Sequence, residues 1–71
     1  MKKEKIGVNA GVVWHVLHRN DPMTFEDLAK AAGLNLPDTA AAIGWLARED
    51  KILFQTEGGE EYFTVYREHY Y

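Results

Sequence analysis

The chain has 71 residues, no cysteine and a formal net charge of −3. A chain this short makes one domain, residues 1–71, and it has none of the disulfides or thiolate metal sites that usually staple small folds, so self-association is a candidate substitute. The acidic balance argues against tight non-specific binding to DNA, because that binding comes largely from neutralising phosphates.

The N-terminal residues MKKEK lead into an amphipathic pattern rather than into a signal peptide. No apolar run in the chain approaches the roughly 18 residues of a membrane span. The lack of cysteine is also compatible with a reducing compartment. The sequence therefore predicts a cytoplasmic protein without a membrane segment.

Helix 1 is predicted over residues 6–18, and it is apolar on two sides. A spacing of three to four residues gathers the side expected to face the core, made of Ile6, Ala10, Val13, Trp14 and Leu17. Val8, Val12 and, less cleanly, Val16 form a second apolar stripe. A helix apolar all round is normally buried all round, and a domain this small cannot surround one alone. Two interpretations stay open: a partner covers the stripe, or the surface tolerates valine.

Two histidines of helix 1, His15 and His18, are three residues apart and could share a metal ion with Asp21 just beyond them. No third ligand with convincing spacing follows, since His69 is far along the chain. We therefore expect a solvated helix surface here and predict no metal site.

Two further helices follow at the spacing of a helix-turn-helix. Thr24 and Asp27 have the spacing of a capping box and Gly33 provides a stop, so helix 2 is predicted over residues 24–32. Helix 3 begins almost at once, with Asn35 as its predicted N-cap and Asp38 three residues on, and is predicted over residues 36–49. Two helices joined by a three- or four-residue turn containing glycine are typical of this motif.

Helix 3 carries the most informative residue of the chain, Trp45. The side expected to face the core holds Leu36, Thr39, Ala40, Ile43, Leu46 and Ala47. Trp45 falls on the other side, among Ala41, Gly44 and Arg48, and one aromatic among small residues is typical of a protein–protein hot spot. This interpretation predicts that Trp45→Ala weakens association and leaves the fold intact. The alternatives are that Trp45 folds back over the C-terminal hairpin, on Phe54 or Tyr62, or that it stacks on a nucleic-acid base.

The C-terminal part predicts a β-hairpin, or wing, over residues 52–66. Two runs rich in β-branched and aromatic residues flank the turn residues Gly58 and Gly59. Three helices followed by a hairpin give the order of a winged helix-turn-helix domain, an α+β fold. The last residues, Arg67 to Tyr71, either extend the second strand or fray.

The end of helix 3 resembles a known family. The string GWLAREDKI of residues 44–52, together with NAG at residues 9–11 and VW at residues 13–14, resembles a small bacterial and archaeal family of winged helix-turn-helix domains of unknown function. The similarity covers nearly the whole chain. It implies the winged-helix fold and, as an expectation, an association with DNA. Asp50 stands where winged helices often carry glycine, so we expect a turn or left-handed conformation there.

The residues at the DNA-facing positions argue against a DNA role. The reading positions of helix 3 are Ala40, Ala41, Gly44 and Trp45, and none of them offers a bidentate contact to a base. The wing tip presents Glu57, Glu60 and Glu61. A DNA-binding transcriptional regulator remains the alternative, with contacts from Lys2, Lys3, Lys5, Lys30, Thr39 and Arg48.

The sequence thus predicts a protein-interaction module, self-associating as a homodimer or binding another protein. Its contacts are expected from helix 3 and helix 1, through Ala41, Gly44, Trp45, Arg48, Val8 and Val12. No nucleophile has a plausible base, so we expect no enzyme, no cofactor and no small-molecule substrate. Clustering of the basic residues on one surface would favour the DNA-binding alternative.

Overall fold

A computed structural model describes residues 2–66 of the chain. The elements in order are α1 (Lys3–Asn20), α2 (Phe25–Ala32), α3 (Leu36–Arg48), β1 (Ile52–Glu57) and β2 (Glu60–Val65). The predicted order of three helices and an antiparallel hairpin is confirmed. The open question about Arg67 to Tyr71, and His69 within it, lies outside the described residues.

Helix α1 is longer than the predicted span of residues 6–18. It begins at Lys3 because lysine and glutamate are good helix formers although they contribute nothing to an apolar pattern. At its other end the backbone N–H of Asp21 still donates to the carbonyl of Leu17 at 2.8 Å. Apolar periodicity therefore locates the helix correctly but underestimates both of its ends.

The predicted caps of α2 and α3 are confirmed. The Thr24 hydroxyl accepts from the backbone N–H of Asp27 at 3.3 Å, and the Asn35 side chain accepts from that of Asp38 at 2.8 Å. Gly33 ends α2 in the left-handed conformation, with φ 69°. These local signals fix the tight turn between α2 and α3.

The core lies between the three helices and one face of the hairpin. Its buried members are Ala10, Val13, Leu17, Leu28, Ala42, Ile43, Leu46, Ile52, Phe63 and Val65. The predicted inner side of α3 is partly wrong: Leu36 and Ala40 are exposed, while Ala42 is buried. At 100° per residue, the buried stripe is rotated by roughly 50° from the predicted one, toward Trp45.

The hairpin pairs Ile52 with Val65 at its base and Glu57 with Glu60 at its tip. Gly58 and Gly59 have φ of 60° and 80°, the positive values that a two-residue turn of type I′ requires. Asp50 has φ 56°, which confirms the left-handed conformation expected before the wing.

Met23 extends the sheet by one residue pair that the sequence pattern did not predict. Its backbone exchanges two hydrogen bonds with Phe63, of 3.0 Å and 2.8 Å. A single paired residue leaves no alternation in the sequence by which to recognise it.

The helices within residues 2–66 include none with the length and apolar character of a membrane-spanning segment.

Candidate interaction surface

The outer side of α1 is an apolar strip with a charged group at each end. Val8 is 62% exposed and Val12 is 40% exposed, one helical turn apart. Val16, the third valine of the predicted stripe, is instead partly buried against the core. We define the α1 face as the exposed residues Glu4, Val8, Gly11, Val12, His15 and Arg19.

Gly11 makes a hollow in the middle of the α1 face. A Cβ atom placed on it would meet open space, with no heavy atom within 4 Å apart from its two chain neighbours and the backbone of its own helix. Glycine in a helix interior is about 0.8–1.0 kcal/mol less favourable than alanine. Nothing within the described domain therefore requires glycine at this exposed position.

Trp45 lies against α1 rather than pointing into solvent. It is partly buried against the core, and a Cβ atom placed on Gly7 would lie 3.7 Å from its Cζ2 and 3.9 Å from its Cη2. The prediction that the ring points outward is therefore wrong. The alternative, that the ring packs on the hairpin, is also wrong, because the element it packs on is α1. Rotation of the buried stripe of α3 brings the indole to the seam between α3 and α1.

A cleft of about 690 Å³ opens beside Trp45, between α1, the end of α3 and the base of the hairpin. Trp14, Trp45 and Tyr66 are its aromatic lining, and Gly7 and Gly11 line it from α1. The α1 face and the flank of Trp45 are thus neighbouring parts of one surface.

The two histidines considered for a metal site both contact the ring of Trp14. His18 stacks on it with ring centroids 4.7 Å apart, and His15 meets it edge-on at 5.4 Å. Residues 2–66 hold no group of three or more histidine, aspartate or glutamate side chains arranged to bind a metal. Aromatic contacts give these histidines a packing role on α1.

The outer side of α3 offers few groups for recognition. Gly44 and Arg48 are exposed and Ala41 is partly buried. A Cβ atom on Gly44 would meet nothing within 4 Å. The interaction role predicted for these residues and for Trp45 remains a prediction.

The basic residues of the DNA-binding alternative are only partly brought together. Lys3 and Arg48 line one hollow beside Trp45, whereas Lys30 lies in the last turn of α2. Thr39 is fully buried and its hydroxyl donates to the Asn35 carbonyl at 2.8 Å. Its predicted contact with nucleic acid is therefore wrong. Lys2 and Lys5 are exposed near the start of α1.

The wing tip carries a negative field. Glu57, Glu60 and Glu61 are exposed, and the Tyr62 hydroxyl donates to the Glu60 carboxylate at 3.3 Å. The charge of Glu60 raises the pKa of Tyr62, and burial and the neighbouring carboxylates of Glu57 and Asp27 raise it further. A wing of this charge repels phosphates.

One structurally important side chain is that of Asp21, which the sequence places only beside the two histidines of helix 1. Its carboxylate accepts from the Thr64 hydroxyl and from the backbone N–H of Val65, the latter at 3.2 Å. It thereby ties the turn after α1 to β2. No local signal marks this role, because its partners lie 43 and 44 residues away.

Comparison with known proteins identifies relatives over most of the chain. A family model described as "Winged helix-turn-helix domain (DUF2582)" matches residues 1–65. The uncharacterized protein MJ1608 of Methanocaldococcus jannaschii is 42% identical over 50 residues, which are 68% of this chain and 71% of that protein.

A solved structure shares the fold. The solution NMR structure of protein BT2368 from Bacteroides thetaiotaomicron matches with a TM-score of 0.84 and 38% sequence identity. The match covers 92% of this chain and 79% of that one.

Proposed function

The chain belongs to the winged helix-turn-helix family DUF2582, and from this premise we propose that it is a self-associating protein-interaction module rather than a reader of DNA sequence. The observation that carries the proposal is the exposure of Val8 and Val12 on the α1 face. The proposal assigns the domain no catalytic step, cofactor or small-molecule substrate.

Burial of the α1 face in a dimer would add to the small apolar area that the domain buries on its own. Moving a fully exposed valine side chain out of water is favourable by about 1.5–3 kcal/mol, and Val8 and Val12 each contribute less because they are 62% and 40% exposed. In a two-fold dimer the valine at a given position is buried in both copies, so the gain is made twice per dimer. A partner that binds only the folded state also stabilises that state by mass action, which matters most in a small domain.

Val8→Glu should raise the dimer dissociation constant by more than about tenfold, because two charges would enter the interface of each dimer. Sedimentation equilibrium over a wide concentration range at physiological salt measures this constant. Leu53→Glu is the matched control, since Leu53 is 46% exposed on β1 and the change adds the same charge. A wild-type protein that stays monomeric at every concentration would refute the proposal, as would equal effects of the two variants.

DNA binding is the second candidate, and one observation favours it: Lys3 and Arg48 line the same hollow. Against it stand the acidic wing tip and the shortage of polar groups on the outer side of α3. Phosphate neutralisation gives most proteins their non-specific affinity, and this surface offers few cations for it.

Fluorescence anisotropy of a labelled duplex should therefore show no saturable binding at physiological salt, with a dissociation constant weaker than about 100 µM. The double variant Lys3→Glu/Arg48→Glu serves as the comparison. Binding by the wild type in the low micromolar range that this variant abolishes would establish the DNA-binding alternative instead.

A further inference from the structure

We infer that the partner at the α1 face is a second copy of this chain, docked with the two α1 helices antiparallel. In this arrangement Val12 of one copy packs over Gly11 of the other, and Glu4 of one copy pairs with Arg19 of the other. The inference rests on the proposed function and specifies the geometry of that same surface.

The shape of the α1 face is complementary to itself. Gly11 leaves open space into which no other element of its own chain reaches within 4 Å, and Val12 beside it is 40% exposed. A two-fold axis midway between these residues seats each valine in the hollow of the other copy. Small residues allow helix backbones to approach closely, and β-branched side chains fill such a contact with little loss of rotamer freedom.

The charges at the ends of the α1 face select the antiparallel direction. Glu4 and Arg19 are fifteen residues apart, or about 22 Å along a helix that rises 1.5 Å per residue. An antiparallel pair centred between residues 11 and 12 places residue 4 opposite residue 19 and residue 8 opposite residue 15. A parallel pair would instead set Glu4 against Glu4 and Arg19 against Arg19, which costs affinity through like-charge repulsion.

The rest of the face fits the same register. Val8 falls opposite His15 of the other copy, so an apolar side chain meets the face or edge of an imidazole ring. Lys5 lies at the margin of the face and His18 stacks on Trp14 beside it. The register also sets Lys5 opposite His18 of the other copy at this margin, and its contacts between opposite charges are two equivalent Glu4–Arg19 pairs.

Charge reversal tests the direction and register. Glu4→Arg and Arg19→Glu, each alone, should raise the homodimer dissociation constant about tenfold at low salt, because each creates two like-charge contacts. An equimolar mixture of the two variants should form a heterodimer of nearly wild-type affinity. In that heterodimer, residue 4 of each copy faces residue 19 of the other copy with the opposite charge. Sedimentation equilibrium of each variant and of the mixture measures these constants.

Glycine replacement tests the close approach. Gly11→Gln should weaken the dimer more than about tenfold, while Gly44→Gln should leave it unchanged. The pair is matched, because a Cβ atom on either helical glycine meets nothing within 4 Å. At a protein concentration low enough for the wild type to be monomeric, both variants should unfold at a temperature no lower than the wild type, since glutamine is the better helix former. Loss of association without loss of thermal stability therefore reports the interface and not the fold.

The outcomes separate this inference from the proposed function. A dimer that Val8→Glu dissociates, but that ignores charge reversal and Gly11→Gln, overturns the antiparallel register and leaves self-association standing. A dimer broken by Gly44→Gln places the contact on α3 and overturns the inference as well. A strictly monomeric wild type overturns both. Rescue in the mixture of the two charge variants is the result we expect.

Discussion

Asp21→Ala should lower the free energy of unfolding by about 2–3 kcal/mol, because a charged hydrogen-bond acceptor serving a buried residue is lost. The carboxylate accepts from the Thr64 hydroxyl and from the Val65 backbone N–H. Val65 is only 3% exposed, so water cannot readily replace the missing acceptor. A buried donor left without a partner carries its full desolvation penalty.

The position of Asp21 explains why this one side chain matters. On the edge of β2 away from β1, the backbone N–H of Phe63 donates to the carbonyl of Met23 at 2.8 Å. Two residues on, the N–H of Val65 points the same way, and Asp21 supplies its acceptor in place of a strand. Asp21 therefore supplies the acceptor for the N–H of Val65, as the carbonyl of Met23 does for the N–H of Phe63.

Urea denaturation followed by circular dichroism at one fixed protein concentration measures this loss. Asp21→Asn keeps an oxygen in place and should cost less than the alanine variant. Asp27→Ala is the control, since it deletes an exposed carboxylate from the first turn of α2. If Asp21→Ala stays within about 0.5 kcal/mol of wild type, the carboxylate does not hold the turn to β2.

The part of this fold that the sequence predicts is the part encoded by neighbouring residues. Thr24 and Asn35 accept hydrogen bonds from residues three positions along, and the positive φ of Gly33, Gly58 and Asp50 follows from local turn chemistry. These signals need no knowledge of the packed domain. They are sufficient to give three helices and a hairpin in the right order.

The remaining features depend on how the helices pack, and local patterns do not carry them. Both sides of α3 are rich in alanine, so its apolar periodicity fits two orientations of the helix about its own axis nearly equally well. The domain adopts the orientation that buries Ala42 and exposes Leu36. That rotation moves Trp45 from the expected outer side to the seam with α1. Asp21 and Met23 likewise act through partners that are about forty residues away.

Trp45→Ala should lower the free energy of unfolding by about 2–3 kcal/mol, less than the loss for a fully buried tryptophan. The indole packs against the core and lies over Gly7, so its removal widens the adjacent cleft and separates α3 from α1. This outcome differs from the one predicted from the sequence, in which only association is lost. The position of the ring is the reason for the difference.

Leu36→Ala is the control for this prediction, because Leu36 lies on the same helix and is 54% exposed. It should change the free energy of unfolding by less than about 0.5 kcal/mol. Trp45→Phe keeps an aromatic ring over Gly7 and should retain most of the stability. Thermal unfolding at a concentration at which the wild type is monomeric, together with sedimentation equilibrium at higher concentrations, separates the two possible roles of the ring. If Trp45→Ala dissociates the dimer at unchanged thermal stability, the ring belongs to the interface, as the sequence pattern indicates. If Trp45→Ala lowers the thermal stability and leaves the dimer intact, whereas Val8→Glu dissociates it, Trp45 packs α3 onto the inner side of α1 and the α1 face makes the dimer contact.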